Sequence, residues 1–198
     1  MGRVLESYAH SLGPEVRVLL ARYRLVDHAV KVVGVGSIGT RCSVALMQAD
    51  GDDSLILQIK QASASALERH AGPSSVQNHG ERVVLGQRLM QSASDVLLGW
   101  GSSGDYDFYV RQYKDKKGSI DIAALDGFGL RDYARMCGWA LATAHARTGD
   151  AAMIAGYLGK ADTFDKALVR FAALYADQVE QDYASFRAAT EAGKMPVA

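Results

Sequence analysis

The spacing of apolar and polar positions changes character several times along the chain. Leu5, Tyr8, Leu12, Val16, Leu19, Leu20 and Tyr23 fall at helical intervals, broken at Gly13-Pro14, and predict two short helices before residue 26. Val26 to Val35 then turns β-branched and apolar. Arg41-Cys42-Ser43-Val44-Ala45-Leu46-Met47 has the same composition, so two strands are expected there, joined by a glycine-rich turn. Asp50-Gly51-Asp52-Asp53 predicts a hairpin, and Ser54 to Lys60 a third strand. Gln61 to Glu68 begins a helix that Gly72-Pro73 interrupts. Ser74 or Ser75 is expected to cap a longer helix to about Ser94, with Val76, Gly80, Val83, Val84, Gln87 and Met90 along its inner stripe. Val96 to Trp100 and Tyr106 to Tyr113 predict a second hairpin about the turn Gly101-Ser102-Ser103-Gly104-Asp105.

After a polar run at Lys114-Asp115-Lys116-Lys117-Gly118-Ser119, the period is helical to the end. Leu130, Tyr133, Ala134, Cys137, Leu141 and Ala144 form one stripe, and Phe164, Leu168, Phe171, Tyr175, Val179, Tyr183 and Phe186 another. Trp139 and the aromatic stripe of the last helix are expected to be core, and the tail after about Ala192 to fray. The fold class read from these patterns is α+β, an antiparallel five-stranded sheet with one packed helix, followed by an all-helical lobe. The expected divisions are N-terminal helices at 1–26, a glycine-rich-loop sheet lobe at 27–113, a hinge at 114–130 and the helical lobe at 131–198.

Composition narrows the function classes. The 198 residues are 48% hydrophobic, and 22 basic residues balance 22 acidic ones. Without a net field, nucleic-acid and anionic-membrane binding are disfavoured. The start, Met1-Gly2-Arg3-Val4-Leu5-Glu6-Ser7, lacks the apolar core of a signal peptide, and no run approaches a membrane span, so a cytoplasmic location is expected. Cys42 and Cys137 are expected as buried, reduced thiols. His10, His28, His70 and His79 have no metal-ligand spacing with them.

The candidate chemistry centres on Val33-Gly34-Val35-Gly36-Ser37-Ile38-Gly39-Thr40. In a dinucleotide-binding fingerprint this turn would open a helix. Here a strand follows it, the arrangement that covers nucleotide phosphates in protein kinases, with a lysine on the third strand. Gly34 and Gly36 allow close approach of the backbone to an anion, and Gly39 allows the turn into the second strand. Lys60 follows Gly39 by 21 residues, and Glu81 follows Lys60 by another 21, in the next long helix. Gly34, Gly36, Ser37, Gly39, Lys60 and Glu81 are therefore the expected phosphate-binding set, with Glu81 holding Lys60 as an ion pair. Asp150, after His145-Ala146-Arg147-Thr148-Gly149, is a weak catalytic candidate. Ala151-Ala152-Met153-Ile154 follows it where a catalytic loop would place an asparagine for metal, so a helix N-cap is the preferred role. Asp162, Asp165 and Asp177 lack the strand and glycine context of a metal-binding aspartate.

The segments Lys31 to Arg41, Asn78-His79-Gly80-Glu81-Arg82-Val83-Val84, Gly86 to Gln91, Tyr109-Val110-Arg111-Gln112 and Ala144 to Asp150 resemble the bacterial domain-of-unknown-function family 2252. The resemblance covers nearly the whole chain and implies the C-terminal half of longer members, which are distantly similar to protein kinases. The segments of the other half that are similar to catalytic and metal-binding loops do not occur here. The resemblance implies an ATP-binding portion of a phosphotransferase that is inactive alone, with Mg2+ bound only if a separately encoded half supplies ligands. The alternatives are a non-catalytic interaction module that binds another chain or itself, and an autonomous phosphotransferase using Asp150.

Overall fold

The computed structural model describes residues 1–34, 37–113 and 118–194. Its five strands are β1 (Arg24–Val30), β2 (Cys42–Gln48), β3 (Ser54–Ala62), β4 (Gly99–Ser103) and β5 (Tyr106–Gln112). They form one sheet in the order β1-β2-β3-β5-β4, with every neighbouring pair antiparallel. The helices are α1 (Gly2–His10), α2 (Pro14–Leu20), α3 (Glu68–Ala71), α4 (His79–Met90), α5 (Gly127–Thr148), α6 (Ala151–Leu158) and α7 (Thr163–Glu191). The chain is thus α+β, an antiparallel sheet part followed by a helical part.

One sheet face carries the core. Alternation along the strands sends Ala45, Met47, Leu57, Ile59, Phe108 and Val110 to this face, where Val4, Tyr8 and Leu12 of the N-terminal segment and Leu20 of α2 meet them. Tyr8 is fully buried and donates its hydroxyl to the Leu97 carbonyl at 2.6 Å. Burial, reinforced by the nearby Asp95 carboxylate, pushes the Tyr8 phenol well above its ordinary pKa.

The helix α1 also explains why β4 runs from Gly99 to Ser103 rather than ending at Trp100. Gly101, expected to open the turn, and Gly99 are instead where α1 lies against the strand. A Cβ on Gly101 would stand 2.6 Å from the Val4 carbonyl oxygen. The turn itself is shorter and sits at Gly104-Asp105, with Gly104 at φ +58°. Leu97 and Leu98 are buried ahead of the strand, and the Asp95 carboxylate accepts from the amides of Leu97 (2.9 Å) and Gln112 (2.7 Å).

The opposite face receives α4. Neither Ser74 nor Ser75 caps it, and it does not reach Ser94. The cap is Asn78, whose Oδ1 accepts from the Glu81 amide at 2.9 Å. The Asn78 amide group donates to Ser102 Oγ and Asp107 Oδ1, both at 2.8 Å, and Asp107 Oδ2 accepts from the His79 amide at 2.8 Å. A helix beginning at Ser74 would forgo these bonds to β4 and β5. Of the expected inner stripe, Gly80 and Val84 are buried, Gly80 against the Phe108 carbonyl, while Met90 is exposed.

Contacts divide the chain into a unit of residues 1–148 and a second of 149–198. In the first, α5 lies beside α4, with Ala144 buried and Arg147 Nε donating to the Leu89 carbonyl at 3.2 Å. Lys114 to Lys117 of the expected hinge lie outside the described residues. In the second unit, Asp150 Oδ1 accepts from the Met153 amide at 2.9 Å as the N-cap of α6, and Gly159, at φ +66°, ends that helix.

The expected helical core is not formed by the aromatic stripes. Trp139 is 71% exposed, and the stripe of α7 is between 36% (Phe164) and 62% (Phe171, Tyr183) exposed. Both cysteines are free, but only Cys42 is buried; Cys137 is exposed. Helical spacing marks an apolar face; it does not provide the element that covers that face.

Candidate functional site

The hairpin of β1 and β2 presents the glycine-rich segment at one end of the sheet. β1 stops at Val30 rather than Val35, and the Lys31 amide bonds the Cys42 carbonyl at 2.9 Å, closing the base of the loop. Within the loop, the Ser37 amide donates to the Gly34 carbonyl at 2.9 Å. The Thr40 amide and hydroxyl both donate to the Ser37 carbonyl, at 3.1 and 2.7 Å. Gly39 takes φ +79°, a conformation that disfavours any residue with a Cβ. Gly36, expected to contribute, and Val35 lie outside the described residues.

Beside this turn is an open cleft of about 490 Å³ whose lining includes Lys31, Val33, Ser37, Thr40, Arg41 and Ser43. Its two cations are already engaged. The Arg41 guanidinium lies 3.7 Å from the centre of the Tyr106 ring and donates to Gln61 Oε1 at 3.2 Å. Lys31 Nζ is 5.1 Å from the Tyr113 ring centre.

Lys60 lies at the same end of the sheet. It pairs with Cys42, the first residue of β2 after the loop, and with Tyr109 of β5, while the Gln61 amide bonds the Arg41 carbonyl at 2.8 Å. Alternation places Lys60 on the face that holds Asp107, the face on which α4 docks. The glycine turn, Lys60 and the helix bearing Glu81 are thus gathered about one end and one face. The last contact is not closed. Lys60 and Glu81, both half-buried, form no ion pair among the described residues.

Residues that spacing did not single out support this face. Arg82 Nη2 donates to the Ser63 carbonyl at 2.6 Å, tying α4 to the segment just past Lys60, while Arg82 Nε is buried without a partner. Gln58, only 5% exposed, accepts from Arg111 Nε and Nη2 at 3.2 and 3.1 Å. Its signal was a polar side chain inside the apolar run Leu55-Ile56-Leu57-Gln58-Ile59. Burial pushes the Tyr109 phenol upward, a shift that Arg111 opposes and Cys42 adds to.

Asp150 belongs to the second unit and its carboxylate caps α6. Among the described residues, no group of three His, Cys, Asp or Glu side chains is placed to hold a metal ion. No helix there is long and apolar enough to cross a membrane.

The model of the family described as "Uncharacterized protein conserved in bacteria" (DUF2252) matches residues 1–189, and the chain belongs to that family. No curated protein and no solved structure matches it.

Proposed function

We propose that the sheet unit of this DUF2252 family member is the ATP-phosphate-binding portion of a kinase-like phosphotransferase. The observation that carries the reading is the convergence of the glycine turn, Lys60 and α4 at one end and one face of the sheet. In protein kinases the corresponding parts cover the phosphates, pair with their oxygens and hold the lysine in place. Here backbone amides near Gly34, Gly36 and Gly39 would donate to phosphate oxygens, with Ser37 shaping the approach. Lys60, with no ion pair to a carboxylate among the described residues, would supply the charge. Closing Glu81 onto Lys60 would then accompany nucleotide binding, because the ion pair fixes the ammonium between carboxylate and phosphate.

The chain's own described residues provide no carboxylate cluster for Mg2+, so the metal and the acceptor-activating groups would come from a separately encoded half. On this reading the chain binds nucleotide and does not turn it over alone, since phosphoryl transfer rests on positioned metal and charge. The test is thermal stability of the purified chain with and without Mg-ATP. A ligand at a hundredfold excess over its Kd adds about 2.7 kcal/mol to the folded state. The expected result is a clear upward shift in the wild type that Lys60→Ala abolishes while its unliganded melting stays unchanged. An equal shift in Lys60→Ala, or none in the wild type, counts against the assignment.

A second reading, a non-catalytic interaction module, is favoured by the apolar side chains exposed along α5, α6 and α7. Mass that rises with concentration and a melting point indifferent to nucleotide would favour it over the first.

A further inference from the structure

We propose that Arg111, held in place by Gln58, joins Lys60 in binding a linear polyphosphate across β3 and β5. Strand register puts the three side chains together: Lys60 lies two residues beyond Gln58 on β3, and Arg111 of β5 is directly opposite Gln58. Alternation therefore sends all three to one face of the sheet, the face of Asp107. Lys60 and Arg111 are diagonal neighbours there, about 7–8 Å apart at the backbone and within reach of one ligand for two long side chains. Gln58 is only 5% exposed, and its Oε1 accepts from Arg111 Nε and Nη2 at 3.2 and 3.1 Å. Two bonds to one buried acceptor fix the guanidinium plane and leave Nη1 outside the pair.

The partner that fixes Arg111 is neutral, so the positive charge is not offset. Among the described residues, no carboxylate forms a salt bridge with Arg111 or with Lys60. Asp107, on the same face, is committed elsewhere: Oδ1 accepts from Asn78 and Ser102, and Oδ2 from the His79 amide. Both oxygens of Asp95 accept from backbone amides, those of Leu97 and Gln112. The Arg111 charge is felt beside Lys60: burial raises the phenol of Tyr109, directly opposite Lys60, and Arg111 opposes that rise. Two partly buried cations without a counter-ion cost stability that an anion bridging them offsets. Phosphate suits this pair, because a guanidinium donates to two of its oxygens at once and an ammonium meets it as a point charge. A polyphosphate suits it better than a single phosphate, since the cations stand one register pair apart, Lys60 nearer the glycine turn and Arg111 farther from it.

Arg111 extends the phosphate-binding role proposed above for Lys60 and rests on it. Calorimetric titration of the full chain with inorganic tripolyphosphate, free of any nucleoside, is the test. The wild type should bind tripolyphosphate about tenfold or more tightly than orthophosphate, the gain of a further charge-assisted contact. Arg111→Gln should remove that gain and leave the orthophosphate affinity unchanged. Gln58→Glu sets a carboxylate against the guanidinium and should weaken tripolyphosphate binding by about the same factor. Its melting temperature should be retained, which a loss of packing would not allow. ATP binding more tightly than tripolyphosphate would identify the source as a nucleotide, and weaker binding as free polyphosphate; loss of either in Arg111→Gln supports the assignment. No binding of tripolyphosphate, equal affinity for the two inorganic ions, or affinity unmoved by Arg111→Gln or by Gln58→Glu would each overturn it. A Mg-ATP stability shift lost in Lys60→Ala but intact in Arg111→Gln would leave the role of Lys60 standing and remove Arg111 from the site. Tripolyphosphate binding lost in Arg111→Gln, with no Mg-ATP shift in the wild type, would retain Arg111 and reject the nucleotide.

Discussion

The sheet core and the helix α7 are built from the same kinds of side chain and meet opposite fates. Leu57 and Val110 are fully buried between the sheet and the N-terminal helices, whereas Phe171 and Tyr183 stand 62% exposed on a helix of comparable apolar regularity. The strands supply one another's cover in sequence, hairpin by hairpin, and α1 and α2 close the remaining face. The face of α7 has no such local arrangement. Periodicity reports which side of an element wants cover, while burial depends on what else the molecule brings to it.

Substitutions that treat the two regions alike should therefore give unlike results. Leu57→Ala should cost about 2–5 kcal/mol in urea denaturation, the range for truncating a fully enclosed leucine. Phe171→Ala should stay within about 0.5 kcal/mol. Equal costs would mean that the apolar face of α7 is covered in the folded chain, and would erase the distinction.

Smaller than Leu57→Ala is the expected cost of Tyr8→Phe, about 1–3 kcal/mol, because the Leu97 carbonyl loses its hydroxyl partner inside the core. The same residue gives the core a pH signature. Its folded pKa lies above that of the unfolded chain, so the neutral phenol's contribution is complete below about pH 10 and declines as pH rises further. Tyr8→Phe should flatten that alkaline decline in a stability profile, and an unchanged slope would remove Tyr8 from the cause. The smallest effect belongs to the second unit. Asp150→Ala should cost its helical segment about 1 kcal/mol and Asp150→Asn much less, since asparagine caps nearly as well. Loss of helix signal on heating is the measurement. If Asp150→Asn destabilised as much as Asp150→Ala, the carboxylate would be doing something other than capping.

The parts of the fold that were legible in the sequence are those determined by neighbours along the chain. Apolar, strand-forming runs placed β2, β3 and β5, Asp50 to Asp53 placed a hairpin, and Asp150, followed by Ala151-Ala152-Met153-Ile154, read as a cap. What was misread depends on residues far away. Ser74, Ser75 and Asn78 are locally comparable caps, and the choice falls to Asn78 because Ser102 and Asp107 wait for it on β4 and β5. Gly101 imitates a turn because nothing in its vicinity reveals that α1 will rest on it. The candidate site divides in the same way. The order of glycine turn, Lys60 and Glu81 is readable because strand register and chain order follow from the sequence. Whether the carboxylate reaches the ammonium depends on how α4 is rotated on the sheet, and that is set by Gly80 against Phe108 and by Arg82 on Ser63.

The strand that carries the glycine turn is held from one side only. β1 is an edge, bonded to β2 alone, with all seven of its residues exposed and its register slipping between Leu25 and Asp27. β3, by contrast, is bonded along both edges. Deuterium should accordingly enter the amides of β1 through small local openings and those of β3 only when the sheet as a whole comes apart. The hairpin that leads into Gly34 is thus hinged on an exposed edge ladder. An anion seated in its turn would be seen first as slowed exchange in β1, before any change registered in the core.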